Sequence, residues 1–148
     1  MPKLRKSPLF PDVNVWLALT YAGHIHHDIA RAWYKTLDLD DSIHFCRITQ
    51  IGLLRLLTTR AVMAGDVMTQ DAAWVAYDKW MSDGRISVLD EPANVEPSFR
   101  ALCHGSDPHP KIWTDAYLAA FAIASGMQLV TFDWGFWGKV PQLMLLGR

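Results

Sequence analysis

The sequence predicts an α/β fold in which a mainly parallel sheet is flanked by helices. Short apolar runs alternate along the chain with longer segments whose apolar residues recur at helical spacing. Glycine, proline and polar clusters separate these segments. Strands joined through helices form parallel sheets, because the crossover returns each strand to the same edge. A chain of 148 residues, 51% of them hydrophobic, is also the size of one ordinary domain, so a single domain over residues 1–148 is expected.

Five apolar runs are the predicted strands. They cover residues 7–12, 42–46, 86–89, 127–132 and 143–146. Each run is short and mostly apolar, as expected for strands that are covered on both faces. Pro11 lacks an amide proton and should end the first ladder.

Six segments with helical spacing are the predicted helices. They cover residues 13–21, 26–39, 49–58, 69–82, 95–103 and 113–124. Thr49 is the predicted N-cap of the third helix, since its hydroxyl can accept from a free amide of the first turn. Gly126 is expected to end the last helix. Residues 104–110 and 134–138 are predicted to be loops.

The overall charge excludes little but sets conditions on any nucleic-acid binding. A formal net charge of -1 gives no general attraction to phosphates, so a basic surface would have to be local.

Two cysteines form neither a disulfide framework nor a zinc quartet, which favours a reducing cytoplasm. We find no apolar run of about 18 residues and no signal-peptide pattern, so neither membrane insertion nor export is expected.

Three aspartates are predicted to meet at one edge of the sheet. Asp12 and Asp133 each follow a strand, and Asp115 lies in the first turn of the last helix. Ligands of open parallel sheets bind at the carboxyl ends of the strands. Carboxylate oxygens suit Mg²⁺ or Mn²⁺, which could activate a water for attack at phosphorus. Each aspartate is also explained by a cap or a turn, so the residues alone leave both interpretations open.

Other side chains would complete such a site. Asn14 and Thr131 flank the predicted edge and could orient a carboxylate or a water from behind the metal ligands. Arg47, Arg55 and Lys111 are the cations expected near the acids, where they could contact RNA phosphates. The tryptophans at 113, 134 and 137 could stack on RNA bases, contact a partner or pack internally.

Four segments, in this order, resemble one family. They are LFPDVNVWLAL, TQIGLLRLLT, KIWTDAYLAAFAIASG and LVTFDWGF. Together they resemble PIN-domain ribonucleases, most closely the VapC-like toxins of type II toxin–antitoxin pairs. The resemblance implies a PIN-like three-layer fold and metal-dependent endonucleolytic cleavage of RNA. It implies Mg²⁺ or Mn²⁺ bound by Asp12, Asp115 and Asp133 as catalytic residues, a homodimer, and silencing by a cognate antitoxin protein.

Gln50 departs from the family pattern. Many PIN domains carry a glutamate in this region, whereas residues 48–59 of this chain contain no acidic side chain. The site would then have three negative charges, with the Gln50 amide oxygen able to hold a metal-bound water. A catalytically weak or inactive PIN-fold binding module is therefore the first alternative. A HAD-like phosphatase is the second, because Asp12-Val13-Asn14 resembles a DxD motif at a strand end.

Overall fold

The computed structural model describes residues 6–147 and contains one five-stranded sheet. All pairings are parallel, and the strand order is β3-β2-β1-β4-β5. The strands are β1 (Leu9–Pro11), β2 (Ile43–Phe45), β3 (Ile86–Val88), β4 (Gln128–Thr131) and β5 (Leu143–Leu145). The predicted α/β class and parallel sheet are confirmed.

The first strand lies at the centre of the sheet. Leu9 pairs with Ile43 of β2 on one side and with Gln128 of β4 on the other. Pro11 is the last residue of β1, and the next amide, that of Asp12, donates to the Val130 carbonyl at 2.8 Å. The end of β1 therefore lies directly beside the end of β4, and this juxtaposition positions the candidate site.

The helices cover both faces of this sheet. They are α1 (Val13–Thr20), α2 (His27–Lys35), α3 (Arg47–Leu57), α4 (Arg60–Met63), α5 (Gln70–Met81), α6 (Val95–Leu102) and α7 (Ile112–Ser125). The short helix α4 was not predicted, because four residues show no helical period. Residues 134–136 form a 3-10 turn instead of a plain loop.

The predicted start of the third helix was wrong. The helix begins at Arg47, two residues earlier, and Cys46 occupies the N-cap position. The Thr49 hydroxyl accepts from the Cys46 amide at 2.9 Å, so Thr49 closes the capping box from inside the helix. The earlier start places Arg47 immediately after the carboxyl end of β2.

Two apolar cores lie on opposite faces of the sheet. Successive residues of β1 point to opposite sides, with Leu9 in one core and Phe10 in the other. Trp16 of α1 stacks on Phe45 at 3.9 Å between ring centroids in the first core. Phe10 stacks on Phe121 of the alanine-rich α7 at 5.0 Å in the second. Helices on both faces give three layers and explain why most strand residues are apolar.

None of the helices within residues 6–147 has the length and apolar character needed to cross a membrane.

Helix α7 ends as the sequence predicts, at Gly126. This residue has φ +65°, a left-handed conformation that glycine adopts without a steric cost.

Candidate functional site

Asp12 is a buried carboxylate at the junction of β1 and α1. Its side chain caps α1, with Oδ1 accepting from the Val13 amide at 2.7 Å. Oδ2 accepts from the Thr131 hydroxyl at 3.0 Å. The residue is only 8% exposed, and this burial raises its pKa from 3.8 to about 6. The two hydrogen bonds oppose that shift, and the charges of Asp115 and Asp133 add to it.

Thr131 connects the ends of the two neighbouring strands. Its fully buried hydroxyl donates to Asp12 and accepts from the Asn14 amide group at 3.3 Å and from the Asp133 backbone amide at 3.0 Å. The Asn14 side-chain oxygen also accepts from the Phe132 amide at 3.4 Å. Thr131 therefore contacts Asp12 and the Asp133 backbone directly, whereas Asn14 is connected to them through Thr131 and the Phe132 backbone.

Asp133 is exposed, in contrast to Asp12. It follows β4 and caps the 3-10 turn of residues 134–136, with Oδ1 accepting from the Gly135 amide at 2.8 Å. Only one of its carboxylate oxygens is engaged by this turn. The other is available for a ligand at the edge of the sheet.

Asp115 lies in the first turn of α7, on the wall of a cavity of about 180 Å³. Its side chain is exposed, yet partial desolvation raises its pKa, and the charge of Asp133 raises it further. Lys139 and His109 oppose this shift. Asp12, Asp115 and Asp133 therefore lie within electrostatic reach of one another, although Asp12 is more than 100 residues from the other two in the sequence.

The aspartates do not form a closed metal cage. Within residues 6–147, no group of three or more His, Cys, Asp or Glu side chains is arranged so that it could hold a metal ion by itself. The oxygen donors nevertheless fit Mg²⁺ or Mn²⁺, because Mg²⁺ in nucleic-acid enzymes is bound by one or two carboxylates, waters and substrate phosphate. The buried, charge-crowded Asp12 is the kind of carboxylate that a cation would stabilise.

Gln50 is buried in the first turn of α3 and is 5% exposed. Its side-chain oxygen accepts from the Arg47 guanidinium at 2.5 Å, and its side chain also hydrogen-bonds to Tyr77. Gln50 is therefore a fixed, neutral partner of Arg47 at the helix start. The predicted role of its oxygen, holding a metal-bound water, would compete with this contact.

The predicted RNA-contacting cations differ in position. Lys111 lines the same cavity as Asp115, and Arg47 lies at the start of α3, just after β2. Arg55 lies in the last turn of α3, roughly 12 Å further along the helix axis. Lys139 was not predicted to be a site residue. The turn after Asp133 places it in the same cavity as Asp115, where its charge acts on that carboxylate. His109 was also missed as a neighbour of Asp115, because the loop before α7 has no periodic pattern.

Comparison with known proteins places this arrangement in a family. Residues 9–139 match the model of the PIN domain. Ribonuclease VapC41 of Mycobacterium tuberculosis is 46% identical over 132 residues, covering 86% of this chain and 90% of the relative. Ribonuclease VapC44 of the same organism is 33% identical over 129 residues, covering 82% and 83%.

Solved structures share the fold at much lower sequence identity. VapBC2 from Rickettsia felis, bound to a promoter DNA fragment, superimposes with a TM-score of 0.64 at 16% identity, covering 93% of this chain and 96% of that one. The Mycobacterium tuberculosis toxin VapC20, which cleaves the sarcin–ricin loop, gives a TM-score of 0.61 at 20% identity, covering 85% and 88%. Family model, relatives and fold agree, and the chain belongs to the PIN-domain family, in its VapC-like branch.

Proposed function

We propose that this protein is a metal-dependent endoribonuclease that acts as the toxin of a toxin–antitoxin pair. Asp12, Asp115 and Asp133 are the proposed ligands of Mg²⁺ or Mn²⁺ and the catalytic residues. The observation that carries the proposal is the buried Asp12 carboxylate, with pKa about 6, beside two further aspartates at a sheet edge. The 46% identity to Ribonuclease VapC41 supports RNA as the substrate.

A bound divalent ion would lower the pKa of a coordinated water and neutralise charge on the attacked phosphate. The protein's own groups prepare for this chemistry. Thr131 and Asn14 hold Asp12 and the backbone at Asp133 in place through hydrogen bonds. Lys139 and His109 moderate the charge of Asp115 from the cavity side. The reaction needs no side-chain nucleophile, because a water attacks the phosphodiester.

The proposed partners follow from the relatives. VapBC2 from Rickettsia felis and a toxin–antitoxin complex from Klebsiella pneumoniae share the fold at TM-scores of 0.64 and 0.57. These likenesses support a cognate antitoxin that binds this chain. A homodimer and action on cytoplasmic RNA complete the proposal.

The decisive test is cleavage of total RNA by the purified protein with Mn²⁺, with Mg²⁺ and with EDTA. We expect cleavage only with a divalent ion, and its loss in Asp115→Asn, because that change removes a charge and leaves the fold intact. Asp78→Asn, an exposed change on α5, is the matched control and should cleave normally. Full cleavage by Asp115→Asn would refute the proposed role of the site.

Gln50 supports a second candidate, a PIN-fold module that binds without cutting. Gln50 is neutral and its side-chain oxygen accepts from Arg47. Many PIN domains carry a glutamate in this region of the chain. Gln50→Glu should retain or raise cleavage, since the new carboxylate can pair with Arg47 and add a fourth charge. Binding of RNA by the wild type with no cleavage at any metal concentration would favour the binding module. The family match leaves the phosphatase alternative without a structural argument.

A further inference from the structure

The turn that follows Asp133 has an unusual distribution of apolar side chains. Phe136 and Val140 are buried, at 2% and 7% exposure, and anchor the segment to the core. Trp137 lies between these anchors and is 70% exposed. Trp134 is 42% exposed, and its ring centroid is 5.9 Å from that of Trp137. Two buried side chains therefore anchor a segment that exposes a large aromatic surface close to Asp133 in the chain.

The conformation of Gly138 separates the two side chains around it. Gly138 has φ +78°, in the left-handed region that favours glycine. The chain turns there, so that Trp137 faces solvent and Lys139 lines the cavity on which Asp115 lies. The Lys139 amide donates to the Phe136 carbonyl at 3.0 Å, which closes the turn. The turn therefore places the aromatic ring and the cation on two neighbouring surfaces of the same segment.

The cavity is lined by both apolar and charged side chains. Ala116, Ala119 and Phe136 line it and are buried. Lys111, Lys139 and His109 also line it, together with the Asp115 carboxylate. A volume of about 180 Å³ exceeds what one water or one bare ion needs. Apolar side chains next to cations suit a flat base attached to a phosphate.

From these contacts we infer that the cavity and Trp137 bind two consecutive nucleotides of single-stranded RNA beside the acidic edge. One unpaired base enters the cavity, Lys139 contacts its phosphate, and the next base stacks on Trp137. This inference rests on the proposed function for the identity of the reaction. Unpaired bases are the parts of RNA that stack on aromatic side chains, whereas bases within a duplex are not accessible to them.

The test is binding, measured without cleavage. A fluorescent single-stranded RNA of about eight nucleotides is titrated with the full chain in EDTA, and anisotropy is recorded at several salt concentrations. Trp137→Ala should weaken binding by about fivefold or more, through loss of stacking. Lys139→Gln should weaken binding and reduce the slope of log affinity against log salt by about 0.7, the effect of one lost phosphate contact on a single strand.

Two matched controls lie on α5. Trp74→Ala removes another exposed tryptophan and Lys79→Gln another exposed lysine, and both should bind RNA like the wild type. The same RNA annealed to its complement should bind the wild type more weakly and should not distinguish Trp137→Ala. Circular dichroism melts confirm that each variant is folded.

Unchanged affinity in both Trp137→Ala and Lys139→Gln would overturn the inference, even if wild-type cleavage with Mn²⁺ upholds the proposed function. A Trp137→Ala variant that binds RNA normally but has a smaller mass in gel filtration would also overturn it. That result would assign the surface to a contact between copies of the chain. Single-strand binding that depends on both residues, without cleavage under any metal, would uphold the inference and reject the proposed reaction.

Discussion

Asp12 and Asp133 follow neighbouring strands of the same sheet, yet their surroundings are opposite. Asp12 is 8% exposed, and both of its carboxylate oxygens accept hydrogen bonds from the protein. Asp133 is exposed, and its Oδ1 accepts from the Gly135 amide of the turn that it caps. The inner carboxylate is fixed by the sheet and destabilised by its burial, whereas the outer one is positioned by a surface turn. We therefore expect both positions to be needed for metal binding but to contribute unequally to stability.

The largest effect should separate Asp12→Asn from Asp133→Asn. Both variants should lose RNA cleavage, because each removes a proposed metal ligand. In EDTA at pH 7.5, Asp12→Asn should be more stable than the wild type by up to about 3 kcal/mol, the equivalent of about two pKa units. Asp133→Asn should differ from the wild type by less than about 1 kcal/mol, the usual contribution of one exposed cap.

The raised pKa of Asp12 also predicts how the stability of the wild type changes with pH. The folded-state pKa, about 6, lies above the ordinary value of 3.8, so the native state binds more protons between these two values. Wild-type stability should therefore fall as the pH rises from about 4 to about 6, relative to Asp12→Asn. Denaturant titrations across that range measure the difference. A constant difference at all pH values would contradict the buried, protonatable state of Asp12.

A smaller effect is expected at Thr131, which is hydrogen-bonded both to the Asp12 carboxylate and to the Asp133 backbone. Thr131→Val removes the hydroxyl that donates to Asp12 and accepts from the Asp133 amide. We expect a loss of about 2 kcal/mol in unfolding free energy, because buried polar groups lose their partner. Cleavage should fall by roughly 10- to 100-fold, as for other residues that orient metal ligands. Thr131→Ser keeps the hydroxyl and is the control, so it should retain most of the stability and cleavage; a Thr131→Val variant that loses neither would contradict the role of the hydroxyl.

The smallest predicted effect concerns the helix packed behind Asp12. A Cβ on Gly52 of α3 would lie 2.7 Å from Cγ2 of Val13, whose β-branched side chain has few alternative rotamers. Gly52→Ala should therefore lower stability by about 1 kcal/mol, despite the better helix propensity of alanine. Gly84→Ala, where nothing lies within 4 Å of the added Cβ, is the control. A thermal melt compares them, and an unchanged or higher Tm for Gly52→Ala would show that α1 moves without cost.

Local sequence patterns predicted which strands and helices form better than they predicted the residues at which these begin and end. The strands after which Asp12 and Asp133 lie were predicted because apolar runs of that length, bounded by turn residues, have few other interpretations. The start of α3 was misplaced because Thr49 and Cys46 act together in a capping box, whose partners are visible only in three dimensions. Helix α4 was missed because it is too short to show a period.

By itself the sequence determined the α/β class, the parallel sheet and the likeness to PIN domains, since these depend on periodicity and on residues close together in the chain. It also brought Asp12 and Asp133 to one edge, because the carboxyl ends of parallel strands lie together. Only the tertiary structure decided that Asp12 is buried while Asp133 is exposed, and that Lys139 returns to Asp115. Burial and electrostatic coupling depend on the packing of distant segments, which no local pattern encodes.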